Sequence, residues 1–356
     1  MRIQYKDLKA GVVKVMVENF DDMWYLSQVV GEGDFVKSKS VRRVKRKDET
    51  ASADSGERRT ITIKIRVKKA QFSSGANSLR ILGTVEQSTD DLAAKGSHHS
   101  INVEVGAAIT IIKEKFTDFD IERLNDAVNS SHRAKMLIVV VDTEGASAGL
   151  VRESKIEFYD ISSGVGGKYD QSQRQATRIE FYRNTANFLD DLLKRENITS
   201  IIIAGAGFEK NSFYDFLSEN YRKISKFSII KNIGSYGKNG IYEILKRSDI
   251  KGTMSDLNAA VDVRVVHKLL EHIGTDDGLG IYGIDDVESA SDMGAVEIFL
   301  VCDNLFVKNR ERIEGIMNTV KAARGTVHIV NHENEAGRQL GSLGGVGAIA
   351  RFRVSY

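Results

Sequence analysis

Thr60-Ile61-Thr62-Ile63-Lys64-Ile65-Arg66-Val67 alternates polar and apolar residues without a break. A strand turns successive side chains to opposite faces, so Ile61, Ile63, Ile65 and Val67 share one face and Thr60, Thr62, Lys64 and Arg66 the other. This predicts a half-buried strand with a basic outer surface. Leu79 to Glu86 and Ser100 to Val105 read the same way, separated by Gly- and Ser-rich turns, while Asp21 to Val30 has the spacing of a short helix. Short strands at such intervals predict a small barrel or curled sheet over the first 127 residues.

From about Ser131 the texture changes. Met136 to Val141 is a continuous apolar run, and Lys155 to Ile161 and Ser200 to Gly205 repeat it, with helical segments expected between them. In Gln175 to Arg195, Ile179, Tyr182, Ala186, Leu189 and Leu193 recur at helical spacing. A further unit begins near Thr253, where Ser255 or Asp256 can cap a helix running to His272. It continues through strands at 279–282 and 297–302, a helix at 309–324, a strand at 326–330 and a last strand at 348–354. The reading is an α+β and α/β multidomain chain divided at 1–127, 131–250 and 253–356. No internal repeat is visible.

The 51 basic residues nearly balance the 49 acidic ones, giving a net charge of +2, so affinity for nucleic acid has to come from a local patch. Residues 37–69 supply one: they hold thirteen Lys or Arg against four Asp or Glu. Lys37, Lys39, Arg42, Arg43, Lys45, Arg46 and Lys47 lead into a polar loop expected to be mobile, from Lys47 to Gly56. Arg58 and Arg59 follow it, and Lys64, Arg66 and Lys68 continue along the alternating strand. Such a stripe neutralises several phosphates and binds RNA largely without reading its sequence.

Three carboxylates, Glu18, Asp21 and Asp22, precede Trp24. They admit two readings. One is a Mg or Mn site for phosphodiester hydrolysis, with Asp21 and Asp22 as ligands. The other is the acidic first turn of a helix, favoured by the helix dipole. The seven histidines lack the spacing of a zinc pair, His267 and His272 being five apart. Gly205-Ala206-Gly207-Phe208-Glu209-Lys210 stands where a dinucleotide loop would, but Lys210 replaces the third glycine. Gly166-Gly167-Lys168 lacks the rest of a phosphate-binding loop, and Gly344-Gly345-Val346-Gly347 reads as a turn. Neither an NTPase nor a nucleophile triad is expected. Cys302 stands alone in the run Ile298-Phe299-Leu300-Val301-Cys302, which predicts a buried small hydrophobe. No apolar run suits a membrane span, and a cytoplasmic location is expected.

Three blocks carry a resemblance. They are Phe20-Asp21-Asp22-Met23-Trp24-Tyr25-Leu26 with Gly33-Asp34, Ile201 through Lys210, and Asp277-Gly278-Leu279-Gly280-Ile281-Tyr282-Gly283 with Gly294-Ala295-Val296-Glu297. With the closing stretch from Gly337 to Phe352, they closely resemble the archaeal Pelota family across essentially the whole chain. The resemblance implies an Sm-like N-terminal β-barrel followed by two α/β domains of the class I release-factor type. It implies a factor that enters the vacant decoding site of stalled ribosomes with an elongation-factor-like GTPase. Subunit dissociation with an ABC-type ATPase then initiates no-go mRNA surveillance, and the factor works as a monomer. The family's N-terminal domain has also been proposed as a divalent-metal-dependent endoribonuclease. Release factors hydrolyse peptidyl-tRNA through Gly-Gly-Gln; here Lys168 follows Gly166-Gly167, so peptide release is not expected. Gly205, Ala206, Gly207, Phe208 and Lys210 form the partner-facing loop, in which the family usually writes Gly-Pro-Gly-Phe. Position 17, often Pro or another turn former, is Val17. The chain has no proline at all, where average usage of about 5% gives roughly 18. Replacement of the family's prolines is the inferred origin.

Overall fold

In the computed structural model, residues 1–44, 57–89, 94–130, 133–164, 171–247 and 257–354 are described. The predicted loop from Lys47 to Gly56, Gly166-Gly167-Lys168, and the capping candidates Ser255 and Asp256 lie outside them. Contacts divide the chain into two units, Met1–His132 and Arg133–Tyr356.

The first unit is built on one antiparallel sheet. Its strands are β1 (Arg2–Asp7), β2 (Val12–Met16), β3 (Phe35–Val44), β4 (Glu57–Ser73), β5 (Ser78–Ser88), β6 (His98–Val103) and β7 (Ala108–Ile112), in the order β1-β2-β7-β3-β4-β5-β6. As the alternation predicts, Ile61, Ile63, Ile65 and Val67 are buried. Each contributes about 1.5–3 kcal/mol of burial. They pack with α1 (Phe20–Val29), whose Trp24 and Tyr25 are fully enclosed, ring centroids 5.0 Å apart. A second helix, α2 (Asp118–Ser130), adds Leu124 and Ala127 to the same core.

Alternation fails at Val67. The ladder to β5 pairs Val67 with Gly83 and then Lys69 with Leu82, so one residue is extra on β4. This bulge keeps the next inward positions, Ala70 and Phe72, against the core and leaves the consecutive Lys68 and Lys69 both exposed.

The second unit holds two sheets. The first contains β8 (Lys135–Val141), β9 (Gly145–Val151), β10 (Ile156–Ser162), β11 (Ile198–Gly205) and β12 (Ser228–Asn232), in the order β10-β9-β8-β11-β12. β8, β11 and β12 run parallel, whereas β9 and β10 are antiparallel additions. The expected helix between Val141 and Lys155 is therefore the strand β9. Its small residues hide it: a Cβ on Gly149 would lie 2.9 Å from Ile241 Cγ2, so the strand must stay bare to let α6 (Gly237–Lys246) approach. The apolar run of β8 is continuous because both faces are covered. Met136, Ile138 and Val140 face one core, while Leu137, Val139 and Val141 face another with α3 (Gln171–Arg195), α4 (Glu209–Asn220) and α5 (Arg222–Lys226). α3 buries Phe181, Tyr182, Ala186, Leu189 and Leu192, and Ile179, expected on that face, is exposed.

The remaining elements are α7 (Asn258–Thr275), β13 (Gly280–Tyr282), α8 (Ile284–Asp292), β14 (Val296–Cys302), α9 (Asp303–Lys308), α10 (Arg310–Ala322), β15 (Thr326–Val330), α11 (Glu335–Ser342) and β16 (Val346–Ala350). The sheet order is β13-β16-β14-β15. Leu257 is the N-cap of α7, without a side-chain bond, in place of Ser255 or Asp256. The last strand is 346–350 rather than 348–354. Gly344 and Gly345, with φ of +95° and +79°, make the turn before it, and Val346 and Gly347 already belong to the strand. Cys302 is buried as expected, and burial, with Asp303 and Asp262 nearby, pushes its thiol up to about 12.

The two sheets share a core. Ile241, Ile244 and Leu245 of α6 belong to one apolar cluster with Ala259, Val263, Val266 and Leu269 of α7, and with Leu300 and Ile349. Asn331 Nδ2 and Asn334 Nδ2 both donate to the Ser154 carbonyl at 2.8 Å, tying the ends of β10 and β15 across the same seam. No described helix is long and apolar enough to cross a membrane.

Candidate nucleic-acid interface

The ladder between β3 and β4 sets Lys37 opposite Lys64, Arg42 opposite Arg59 and Arg43 opposite Arg58. Like charges in facing positions destabilise a sheet, so the Lys37–Lys64 pairing does nothing for the fold. Lys37, Lys39, Arg66 and Lys68 are exposed, and Lys64 is partly so. Lys64 Nζ and the Arg66 guanidinium lie 4.5 and 5.8 Å from the Phe35 ring centroid, so an aromatic face on the outer surface orders two of the cations. Among the described residues no carboxylate pairs with Lys37, Lys39, Lys64, Arg66 or Lys68. The strand backbone thus brings together both arms of the basic stretch. Lys45, Arg46 and Lys47 lie outside the described residues.

Glu18, Asp21 and Asp22 do not form a metal centre. Asp22 is wholly enclosed, and its carboxylate accepts hydrogen bonds from the Met1 amino group at 2.8 Å, from Glu18 N at 2.7 Å and from Asn19 N at 3.1 Å. Asn19 Oδ1 accepts in return from Asp22 N, completing a capping box at the start of α1. Glu18 turns toward the same ammonium, 3.6 Å away. A divalent ion would have to displace three donors from Asp22 inside an apolar core, so the residues do not fit Mg or Mn. Among the described residues no group of three His, Cys, Asp or Glu side chains could hold a metal. Of the two readings, the bonds that Asp22 makes are those of the helix cap.

Family models match the chain in three consecutive pieces: Pelota N-terminal domain over residues 1–128, eRF1 domain 2 over 135–256 and eRF1 domain 3 over 259–354. The Pelota homolog of Thermococcus gammatolerans is 37% identical over 356 residues, covering 99% of this chain and 100% of the relative. The chain belongs to the Pelota family. A crystal structure of the Thermoplasma acidophilum Pelota protein superposes with a TM-score of 0.74 at 26% identity, covering 99% of this chain and 100% of that one. Dom34 of S. cerevisiae, described as a translation termination-like factor involved in RNA quality control pathways and interacting with Hbs1, shares the fold at a TM-score of 0.54. It is 21% identical over 99% of each chain.

In this Pelota chain the loop from Gly205 to Lys210 joins β11 to α4. Phe208 is 85% exposed at its tip, while the residues behind it are fastened. Glu209 takes a two-armed ion pair from Arg178 of α3, at 2.7 and 2.6 Å, and a bond from Tyr182 Oη at 2.5 Å. Burial and the bond to Glu209 push the Tyr182 hydroxyl up to about 12, so it remains a donor at neutral pH. Buried Lys210 bonds back to the Gly207 carbonyl through Nζ. Ala206 therefore stands in a loop held by side chains rather than by a proline ring. The sequence gives Tyr182 only as a residue of the apolar helix face and does not single out Arg178; their four-residue spacing on α3 is the available signal. Arg178 and Glu209 border a cavity of about 380 Å³ that Thr143, Ser163 and Arg174 also line.

Proposed function

We propose that the chain is a ribosome-rescue and mRNA surveillance factor of the Pelota kind, acting in the cytoplasm as a monomer. It recognises stalled ribosomes through ribosomal RNA and promotes subunit dissociation with a GTPase partner and an ABC-type ATPase. Membership of the Pelota family over the full length carries this reading, and the unneutralised cations on β3 and β4 support it. In this scheme residues 1–127 lie against RNA through Lys37, Lys39, Arg42, Arg43, Lys45, Arg46, Lys47, Arg58, Arg59, Lys64, Arg66 and Lys68. Residues 131–250 present Phe208 and its loop to the GTPase, and 253–356 dock the recycling partners. The chain performs no bond-breaking chemistry in the scheme. It works by occupying a site and moving two large bodies apart.

The test is subunit splitting of ribosomes stalled on a truncated message, with and without the two nucleotide-hydrolysing partners. Splitting is expected only when all three proteins are present. Reversing Lys37, Lys39, Lys64 and Arg66 to Glu is expected to abolish it at physiological salt, because each phosphate left without a cation lowers affinity and flattens the salt dependence. Splitting by the reversed protein at the wild-type rate overturns the proposal.

A further inference from the structure

The bulge in β4 makes a second feature of the N-terminal unit. Where the two lysines turn outward, the neighbouring strand carries Gly83. A Cβ there would meet the Arg66 carbonyl oxygen at 2.1 Å, so only glycine fits beside the bulge. The next strand brings His99 opposite Gly83 and His98 opposite Thr84. The surrounding side chains border a notch of about 480 Å³ in the sheet surface, lined by Lys68, Lys69, Arg80, Gly83, His98 and Ser100 among others.

The lining is a donor set. Lys and Arg donate only, and the Ser hydroxyl and His ring can donate. Among the described residues no carboxylate lines the notch, and none pairs with Lys68, Lys69 or Arg80. Three fixed positive charges around a depression suit a tetrahedral oxyanion, with the Arg80 fork taking two of its oxygens. The notch also continues the outer surface on which Lys64 and Arg66 stand, about 17 Å along β4 from Lys64 to Lys69 at ~3.4 Å per residue. That is a track for successive backbone phosphates.

We propose that this notch is a phosphate-binding site that seats one phosphodiester of an RNA strand running along β4. The proposal rests on the reading of the chain as a ribosome-bound factor. It adds a defined anchoring point, separate from the Lys37–Lys64 positions, that fixes the register of the RNA on the face.

The experiment uses the full chain and a fluorescent oligouridylate, with Kd followed across salt concentration. Lys69→Gln with Arg80→Gln is expected to weaken binding about tenfold, the effect of losing a charged hydrogen bond. It should also reduce the salt slope by about 0.7, the value for one single-strand phosphate. Both side chains are exposed, so melting of the variant should match wild type. Lys37→Gln with Lys64→Gln is the companion. If only the companion weakens binding, the notch is overturned and the ribosomal reading stands. If the wild type binds no oligouridylate, the RNA-binding face falls along with the notch, while the splitting assay still judges the ribosomal reading. Millimolar inorganic phosphate binding that the notch variant loses, with RNA affinity unchanged, identifies a free-anion site and overturns the RNA assignment. Polyglutamate failing to compete supports it, and equal competition by polyglutamate overturns it in favour of an acidic protein.

Discussion

Asp262 on α7 is the residue most at odds with its surroundings. It is almost fully buried, its Oδ2 has no hydrogen-bond partner among the described residues, and Asp303 and Glu153 add negative charge nearby. Burial raises its carboxyl well above the usual carboxylate range. The unfolded chain releases this proton near pH ~3.9, but the folded chain retains it. Across the window from there up to the folded value, the native state binds more protons, so stability falls as pH rises, by at most about 1.4 kcal/mol per pH unit. His332, raised by its bond to Asp303, adds stability that is also lost as pH rises through its folded value. The wild-type curve therefore mixes two effects. Asp262→Asn removes only one: the variant should melt above wild type at pH 8, and the gap should close toward pH 4. A gap that is the same at both pH values would show that Asp262 is ionised in the folded protein.

At the scale of elements, β4 carries a conflict between folding and function. Lys37 faces Lys64 across the ladder, so Lys37→Glu turns a repelling pair into an attracting one. It should raise the melting point of the first unit, with about 0.2–1 kcal/mol for a cross-strand pair, while weakening ribosome binding. A fall in both stability and binding would mean that Lys37 has a packing role. This strand was legible because strict alternation fixes one buried face, and the facing of like charges followed only once the register was known. Beyond Val67 the sequence Lys68-Lys69-Ala70 gives no alternation, and the bulge there is fixed by Gly83 on another strand, which no local pattern reports. β9 escaped notice for a related reason: its small residues exist to admit α6, a partner about ninety residues away in the chain. Asp22 stays open between cap and ligand in the sequence because the amino group that claims it lies twenty-one positions earlier, beyond the reach of helix periodicity.

At the scale of the molecule, the two units should unfold as two transitions and not three, because α6 and α7 contribute to one core. Trp24, the single tryptophan, is buried in the first unit, so its fluorescence reports that unit alone while circular dichroism reports both. The fluorescence midpoint is expected to coincide with one of two steps seen by circular dichroism in urea, and a third step would separate the sheets of the second unit. With no proline in the chain, refolding watched through Trp24 should lack the concentration-independent phase of tens of seconds that X-Pro isomerisation produces. The shared core also bears on inheritance. Residues 135–256 and 259–354 match separate family models, but Ile241 and Ile244 on one side and Val266 and Leu269 on the other form a single packed surface. A recombination crossover between them, joining halves from two relatives, mates faces that never adapted to each other, whereas one near residue 132 does not cut this surface. Chimaeras of Pelota relatives should tolerate the second kind of exchange far better than the first.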